Sequence, residues 1–392
     1  MAAAPAPASA TIQLGAYTPE APASARTLSE YAAMVGRQPD IVMWYRNFGR
    51  PLLDSSKITN LRATGQTPMV TWEPHNQSLS GIASGRYDSY LHESARIAKS
   101  WGGTLMVRFA HEMNGDWYPW SSSTYTPETF LAAWRHVVSL FRGDGATNVK
   151  WVWSPNVQEG SKYPIPPYFP GDEWVDYVGL DGYNWGSANG AWQSLETVFS
   201  TSYSVVTQLS AKPVIIAETS SSETGGDKAA WIRAGFMSAI PQSFPRVSAV
   251  IWFNETSEDD WRIDSSQAAL DAYRAVVDCW IYGGTGPCED ETGRKRLTVR
   301  SVHVPQRIGG AVTGSVSYGL SESAQVRIEI IPLGHFAHRV SIVRKSRAGH
   351  NRVPLARILH RRHLHAGRYR VVIIARNQSD RSRRHTVHFR VV

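Results

Sequence analysis

The chain has 392 residues, of which 42% are hydrophobic and 19% are charged, a balance that is typical of a globular protein. No apolar run is long enough to span a bilayer, which excludes an integral membrane helix. The formal net charge of +8 conceals two parts of opposite sign, because residues 295–392 carry 20 Lys or Arg against 3 Asp or Glu, whereas the remainder carries 21 against 30. Such asymmetry indicates two domains.

The expected domain boundaries follow this change of charge. Residues 1–10 are rich in Ala and Pro but lack the basic start and apolar core of a signal peptide, so we expect a disordered leader there. The sequence then predicts a first domain at 11–282, a linker at 283–296 and a basic second domain at 297–392.

The first domain alternates short apolar segments with helical patterns. Eight strand candidates are apolar and bounded by polar, Gly or Pro residues: 12–17, 41–45, 68–73, 105–111, 149–154, 177–181, 214–218 and 248–253. Helical periodicity occupies several of the intervals: 87–101, 127–141, 195–209, 228–240 and 268–277. This order predicts an α/β fold, a (β/α)8 TIM barrel. A doubly wound sheet is the rival, but no Gly-rich phosphate loop follows the first strand.

The end of the fourth predicted strand carries the most informative residues. Residues 108–120 read RFAHEMNGDWYPW, so a polar cluster is followed at once by three aromatic side chains. A carboxyl group among apolar faces has a raised pKa and donates a proton near neutral pH. Flat aromatic rings stack on sugars, so the segment suggests a glycosidase with Glu112 as general acid/base.

A second carboxyl group ends the seventh predicted strand, where Glu218 follows a run of Val, Ile and Ala. Catalytic residues of barrels lie at the C-terminal strand ends, so we expect Glu112 and Glu218 to face the same mouth. Retention of configuration requires two carboxyl groups about 5–5.5 Å apart, one as acid/base and the other as nucleophile.

The second domain predicts a β-sandwich, because its segments alternate apolar and polar residues between turn signals. The predicted strands lie at 297–304, 314–318, 325–331, 340–343, 368–375 and 385–392. Residues 366–372, AGRYRVV, loosely resemble a strand of bacterial immunoglobulin-like modules.

The two cysteines, Cys279 and Cys288, have no His or Cys neighbours that would form a zinc site. Their short spacing allows one loop-closing disulfide, which suits an extracellular location; the alternative is two inert thiols. No calcium loop or other metal pattern is visible, and the proposed chemistry requires no metal or cofactor.

Five segments together resemble glycoside hydrolase family 26, a group of retaining (β/α)8 enzymes. They lie at 108–120, 151–156, 177–185, 216–218 and 250–254, and the resemblance covers about residues 11–280. It implies that Glu112 is the acid/base and Glu218 the nucleophile.

The resemblance also implies roles for neighbouring side chains. His111 would hold the nucleophile or contact the sugar, Tyr183 would hydrogen-bond near the nucleophile, Trp252 would form the floor of the cleavage subsite, and Trp117 would line the mouth. Two further residues at strand ends are substrate-binding candidates, Trp72 and Asn156. Arg108 and Asp181 either brace the site or are purely structural, because charged groups at a barrel rim persist only when they are paired.

The substrate implied by the family is a polysaccharide, with β-1,4-mannan first and β-1,3-1,4-glucan second, cleaved in endo mode. The competing class is a carbohydrate-binding protein without catalysis, which would lack one of the two glutamates. A net charge of +17 on residues 295–392 predicts contact with an anionic polymer or cell wall, and the alternative is a solvated spacer. No nucleic-acid motif is present, so nucleic acid is not expected as a partner. We expect a secreted protein.

Overall fold

The computed structural model describes residues 11–158, 162–188, 190–286, 288, 297, 299–305, 307–308, 314–333, 339–359, 364, 366–377, 382 and 385–391. The expected leader and most of the expected linker lie outside these residues. The chain divides after Gly284 into two units. No helix in the described part of the chain is long and apolar enough to cross a membrane.

The first unit is built on a closed, eight-stranded parallel barrel, in which β1 pairs with both β2 and β8. This architecture confirms the predicted TIM barrel. Its strands are β1 (Gln13–Tyr17), β2 (Ile41–Asn47), β3 (Thr67–Glu73), β4 (Leu105–Phe109), β5 (Val149–Trp153), β6 (Tyr177–Asp181), β7 (Val214–Thr219) and β8 (Val247–Phe253).

The helices between these strands form the outer layer of the barrel. They are α1 (Ala25–Val35), α2 (Ser55–Thr64), α3 (Leu79–Ala83), α4 (Asp88–Trp101), α5 (Pro127–Gly143), α6 (Leu195–Leu209), α7 (Lys228–Ile232), α8 (Ile240–Ser243) and α9 (Gln267–Asp278). Thr126 caps α5 as expected, since its hydroxyl accepts from the backbone N–H of Thr129.

The predicted helix at 228–240 is wrong in its middle, where a π-helical turn, Arg233–Ala239, separates α7 from α8. Pro241 follows that turn and has no N–H with which to continue regular α-helical hydrogen bonding. The helices α1, α2 and α3 were not among the predicted elements.

Successive side chains of each strand point alternately into the barrel and out to the helices. The interior is filled by small and medium side chains: Ile41, Met43, Met69, Met106, Val152, Ile215, Ala217, Ala249 and Ile251. Large aromatic side chains, including Trp72, Trp151 and Trp252, are fully buried and contact rings of the helix layer.

The second unit contains two sheets that share one hydrophobic core. Five strands form one sheet in the order β10, β16, β15, β12, β13, and three form the other in the order β14, β11, β9. Their bounds are β9 (Val299–His303), β10 (Arg307–Ile308), β11 (Ser315–Leu320), β12 (Ala324–Pro332), β13 (Val340–Ser346), β14 (Gly349–Pro354), β15 (Gly367–Arg376) and β16 (His385–Val391). The predicted all-β sandwich is confirmed, with three elements the pattern did not indicate: β10, β14 and the short helix α10 (Leu355–Leu359).

Cys279 and Cys288 are both buried and disulfide-bonded. Cys279 follows directly after α9, and its backbone N–H bonds to the carbonyl oxygen of Ala275 in that helix. The disulfide therefore closes a short loop that begins at the end of the last barrel helix.

Gly15 provides a test of packing inside the barrel. A Cβ at this position would lie 2.3 Å from Ile251 Cδ1 and 3.0 Å from the carbonyl oxygen of Ile41. We expect Gly15→Ala to lower the free energy of unfolding by about 1–3 kcal/mol, measured by urea denaturation, because the close-packed interior must shift. Gly143→Ala is the control, since nothing lies within 4 Å of its added Cβ. Equal stability of the two variants would contradict this description of the interior.

Candidate active site

The loop that follows β4 positions Glu112 through an unusual backbone. Ala110 and Glu112 have positive φ angles of 45° and 51°, a region that costs a non-Gly residue roughly 1–3 kcal/mol. Hydrogen bonds hold this conformation, because the N–H of Ala110 donates to the carbonyl of Trp72 at 2.9 Å and that of Glu112 to the carbonyl of Ser154 at 2.8 Å. The loop is thus fixed to the ends of β3 and β5.

The Glu112 carboxyl group is 7% exposed and lies between two hydrogen-bond donors. The indole N–H of Trp117 donates to Oε2 at 2.7 Å, and the amide of Asn156 donates to Oε1 at 3.1 Å. Burial and, second, the negative charge of Glu218 raise the pKa of Glu112 to about 8. The group therefore holds its proton at neutral pH, as a general acid requires.

Asn114, which the sequence analysis did not single out, clamps this loop. Its side-chain amide donates to the carbonyls of Asn156 and Tyr163, each at 2.9 Å, and its Oδ1 accepts from the N–H of Asn156 at 2.9 Å. Asn114 is fully buried. It fixes Asn156, and so the donor that Asn156 presents to Glu112.

A register shift in β7 brings Glu218 to the mouth of the barrel. Leu180 and Asp181 of β6 are consecutive, yet their partners on β7 are Ile216 and Glu218. The one additional residue, Ala217, bulges the strand, and bulges commonly redirect side chains beside active sites.

The Glu218 carboxylate accepts hydrogen bonds from three donors. Tyr45 donates to Oε1 at 2.5 Å, Tyr183 donates to Oε2 at 2.7 Å, and Arg108 contacts Oε1. Glu218 is 5% exposed. Such a set of donors fixes the direction of the carboxyl group.

Arg108 is fully buried and links its own strand, β4, to three others, β3, β6 and β7. Its guanidinium Nη1 lies 2.8 Å from Oδ1 of Asp181, and its Nε donates to Thr71 at 2.9 Å. Ser154 donates to both oxygens of Asp181, at 2.9 and 3.0 Å. Arg108 and Asp181 therefore support the site from below, and the guanidinium reaches Glu218 directly.

The His111 side chain lies against the rings of Tyr45 and Tyr118, and no hydrogen bond joins it to Glu112 or Glu218. It is fully buried, and its Nε2 lies 3.1 Å from the hydroxyl of Tyr118. Burial, with the nearby Arg108 charge, lowers the pKa of His111 well below its usual value. The imidazole is therefore neutral, and its contact with the sugar remains a prediction.

Trp252 and Trp72 were predicted to contact sugar, and both predictions are wrong because each side chain points into the helix layer. Both are 0% exposed. Trp252 packs against Tyr273 of α9 at 5.5 Å, and Trp72 donates from Nε1 to Tyr90 of α4 at 3.1 Å. The next residue of β8, Phe253, has the opposite orientation.

Phe253 forms part of an aromatic cluster at the mouth that the sequence analysis missed. Its ring stacks on Tyr17 at 4.8 Å and meets Tyr183 edge-on at 5.9 Å. Tyr17 in turn lies 5.0 Å from Tyr45. The alternation of side chains along each strand could have indicated this cluster, because its members lie on the same face of their strands as the residues that fill the barrel interior.

Two tryptophans of the first unit stand out as exposed among its described residues: Trp117, at 44%, and Trp185, at 37%. Trp117 also touches Glu112, and Trp185 contacts Tyr183 at 5.9 Å between ring centroids. Trp117 is therefore adjacent to Glu112, and Trp185 is adjacent to the tyrosine that donates to Glu218. An exposed indole ring beside each glutamate offers a surface on which a sugar ring would stack.

Glu73, at the end of β3, is a further carboxyl group of the site, and the sequence analysis assigned it no role. It is 7% exposed, and its Oε2 lies 3.5 Å from Nε2 of His75. Burial raises the pKa of Glu73 to about 7. It can therefore present either a donor or an acceptor to a ligand hydroxyl near neutral pH.

Comparisons with known proteins agree with this geometry. Residues 90–231 match the profile described as glycosyl hydrolase family 26. The chain is 40% identical over 282 residues to endoglucanase H of Acetivibrio thermocellus, covering 68% of this chain and 30% of that protein. It is 26% identical over 200 residues to mannan endo-1,4-beta-mannosidase A and B of Caldalkalibacillus mannanilyticus, covering 47% of this chain and 35% of that protein. The chain thus spans about a third of the length of these two relatives.

A solved structure described as a modular endo-beta-1,4-mannanase from Cellulomonas fimi shares the fold. The TM-score is 0.53 at 14% sequence identity, and the match covers 98% of this chain and 94% of the other. At this identity the likeness concerns the fold alone.

The electrostatic coupling of the two glutamates can be tested directly. We expect Glu218→Gln to lower the pKa of Glu112, because the substitution removes the negative charge that raises it while burial persists. Infrared spectroscopy of the protonated carboxyl band against pH would measure the change, with Glu112→Gln to assign the band. Glu93→Gln, on the exposed face of α4, is the control. An unchanged pKa would mean that the two groups do not interact.

Proposed function

The barrel of this chain belongs to glycosyl hydrolase family 26, and from that premise we propose that it is a retaining, endo-acting hydrolase of β-1,4-linked mannan. The observation that carries the proposal is the contrast between the two carboxyl groups. Glu112 keeps a proton between Trp117 and Asn156, whereas Glu218 is surrounded by donors. A retaining glycosidase requires one group of each kind.

In the proposed mechanism, an oxygen of Glu218 attacks the anomeric carbon of the sugar. The bond from that carbon to the glycosidic oxygen breaks, and Glu112 gives its proton to the departing oxygen. In the second half, Glu112 removes a proton from water, the water oxygen attacks the same carbon, and the ester to Glu218 breaks. Tyr45, Tyr183 and Arg108 orient the nucleophile throughout, because all three contact its carboxylate.

The second candidate substrate is a mixed-linkage β-glucan. The favouring observation is that identity to the protein named endoglucanase H is 40%, against 26% to the mannosidase described above. Mannose and glucose differ in the axial or equatorial position of the hydroxyl at carbon 2, so a few hydrogen bonds decide between them. Glu73 is the mouth residue that we assign to hydroxyl recognition, because it is buried beside His75 and can donate or accept.

An extracellular location is part of this proposal. The disulfide formed by Cys279 and Cys288 supports it, because disulfides persist in oxidising compartments. Polysaccharides of this kind are also too large to enter a cell, so an endo-acting enzyme meets them outside.

The basic second unit contacts an anionic polymer in this proposal, and a block of like charges on β15 and β16 supports the assignment. Arg368 lies opposite Arg390 in the antiparallel register, and Arg370 lies opposite His388. Among the described residues no carboxylate lies within 4 Å of these arginines, and the Nε of Arg370 is buried without a hydrogen-bond partner. Directly opposed like charges destabilise a sheet, so a bound polyanion would relieve them.

A uronic acid polysaccharide fits this block better than a nucleic acid. Its carboxylates match the planar fork of arginine, as phosphates also do, so the exposed side chains around the block distinguish the two ligands. Single-stranded nucleic acids instead use exposed aromatic rings as stacking platforms, and the described part of the second unit has Leu333 and Val343 as its exposed large hydrophobic residues.

Hydrolysis assays on defined polymers test the catalytic proposal. We expect reducing sugar to be released from linear β-1,4-mannan and glucomannan, and Glu218→Ala to abolish it. We expect Glu112→Ala to lower kcat on the polymer by about 10²–10⁴-fold but to retain cleavage of an activated aryl glycoside, whose leaving group needs no proton. Glu93→Ala is the control.

Lichenan and barley β-glucan in the same assay separate the two substrates. Faster hydrolysis of these glucans than of mannan would replace mannan by β-glucan as the substrate. Activity that survives Glu218→Ala would contradict the nucleophile assignment altogether.

Retention on immobilised polygalacturonate tests the basic unit. We expect the variant Arg368→Ser/Arg370→Ser/Arg390→Ser to lose retention at low salt, and the wild-type protein to elute as salt rises, because salt screens the contact. The matched control replaces Arg347, Arg352 and Arg357, which are exposed elsewhere in the same unit, and so removes the same charge. Equal retention of both variants would mean that only net charge matters, and preferential retention on DNA would favour nucleic acid.

A further inference from the structure

We propose that Lys228, at the start of α7, is a positioning residue that holds Trp261 and, through it, the exposed Trp185 at the mouth of the barrel. The inference rests on the proposed function, because it assigns Trp185 to sugar stacking. Lys228 is 0% exposed and has no part in the mechanism described above. A buried ammonium group costs free energy, so its surroundings indicate what it stabilises.

The ammonium group of Lys228 donates three hydrogen bonds to one loop, residues 254–266 between β8 and α9. The acceptors are the backbone carbonyls of Asp260 and Arg262, at 3.1 and 2.8 Å, and the hydroxyl of Ser265 at 2.9 Å. The first two carbonyls flank Trp261 on either side. Three donors thus meet three acceptors of the same loop, which is the full capacity of an ammonium group.

The carbonyl of Trp261 itself is held from the barrel side. It accepts from Nε1 of Trp252 at 2.9 Å and from the hydroxyl of Ser220 at 2.7 Å. Three consecutive carbonyls, at residues 260, 261 and 262, therefore have fixed directions, and Lys228 fixes the outer two. Hydrogen bonds therefore hold this part of the loop, which has no regular secondary structure, from both sides.

The side chain of Trp261 connects this hydrogen-bonded backbone to the site. Its ring is buried and lies 5.0 Å from the ring of Tyr183 and 4.9 Å from that of Trp185, which it meets edge-on at 86°. Tyr183 donates to Glu218 at 2.7 Å. Displacing Trp261 would remove the support behind both rings, and Trp185, which is 37% exposed, has the greater freedom to move.

Charged groups of several elements face Lys228. Glu223, Asp259 and Asp260 favour its charged form and Arg262 disfavours it, while burial lowers the pKa of Lys228 to about 8. An apolar side chain would fill the same space without this desolvation. The presence of an amine at this position is therefore explained by the backbone carbonyls that it orients and not by the space that its side chain fills.

Lys228→Met tests the proposal in the full-length protein. We expect KM on a soluble β-glycan to rise about tenfold, the equivalent of roughly one aromatic contact, with kcat changed by less than about twofold. The near-ultraviolet circular dichroism should change as well, because the Trp261–Trp185 geometry is lost. Lys57→Met is the matched control, since Lys57 is also buried but bonds to Asp54, the N-cap residue of α2; it should lower Tm without altering KM or the tryptophan spectrum.

Unchanged KM and an unchanged near-ultraviolet spectrum in Lys228→Met would overturn the proposal, whatever the change in Tm. If that variant does not fold, Lys228→Gln takes its place, because an amide still donates two hydrogen bonds, and an intermediate KM is expected; a wild-type KM would overturn the proposal. Failure of the wild-type protein to cleave any β-glycan would refute the proposed function instead, and the tryptophan spectrum would still decide the role of Lys228.

Discussion

The buried guanidinium of Arg108 is the interaction on which the site depends. It joins β4 to Asp181 on β6 and to Glu218 on β7, so one cation contacts two buried carboxyl groups whose other partners are neutral hydroxyl groups. Removing one member of such a network leaves an unpaired buried charge, which is far more costly than the pair itself is worth. The orientation of Glu218 and the connection of β4 to β6 and β7 are therefore parts of a single arrangement.

The two glutamates of the site have different neighbours. Glu218 has three donors, whereas Glu112 has an indole and an amide and lies close enough to the Glu218 charge for its pKa to be raised. The environment, rather than the residue type, therefore sets the pKa of Glu112. The same principle extends to His111, because burial and the nearby Arg108 charge lower its pKa and keep it neutral.

The sequence predicted the barrel and the strand ends well, because short apolar runs followed by charged residues identify both. It did not predict which way a side chain points. Strands of a parallel sheet are apolar on both faces, so Trp252 and Phe253 are equivalent in composition, and the structure places the tryptophan among helices and the phenylalanine at the mouth. The roles of Asn114 and Lys228 could not be predicted either, because each side chain donates to backbone carbonyl groups, and the sequence does not indicate which carbonyls will lie nearby.

The bulge in β7 has a consequence for how this fold can change over evolutionary time. One additional residue between the pairings of Ile216 and Glu218 decides that the carboxylate faces the mouth. Because side chains alternate with a period of two and Ala217 already faces the interior, regular pairing of these same residues would turn Glu218 toward the helices. A lineage in which β7 adopted that regular pairing would retain a folded barrel without this carboxylate at the mouth, so the site depends on the bulge as much as on the glutamate itself.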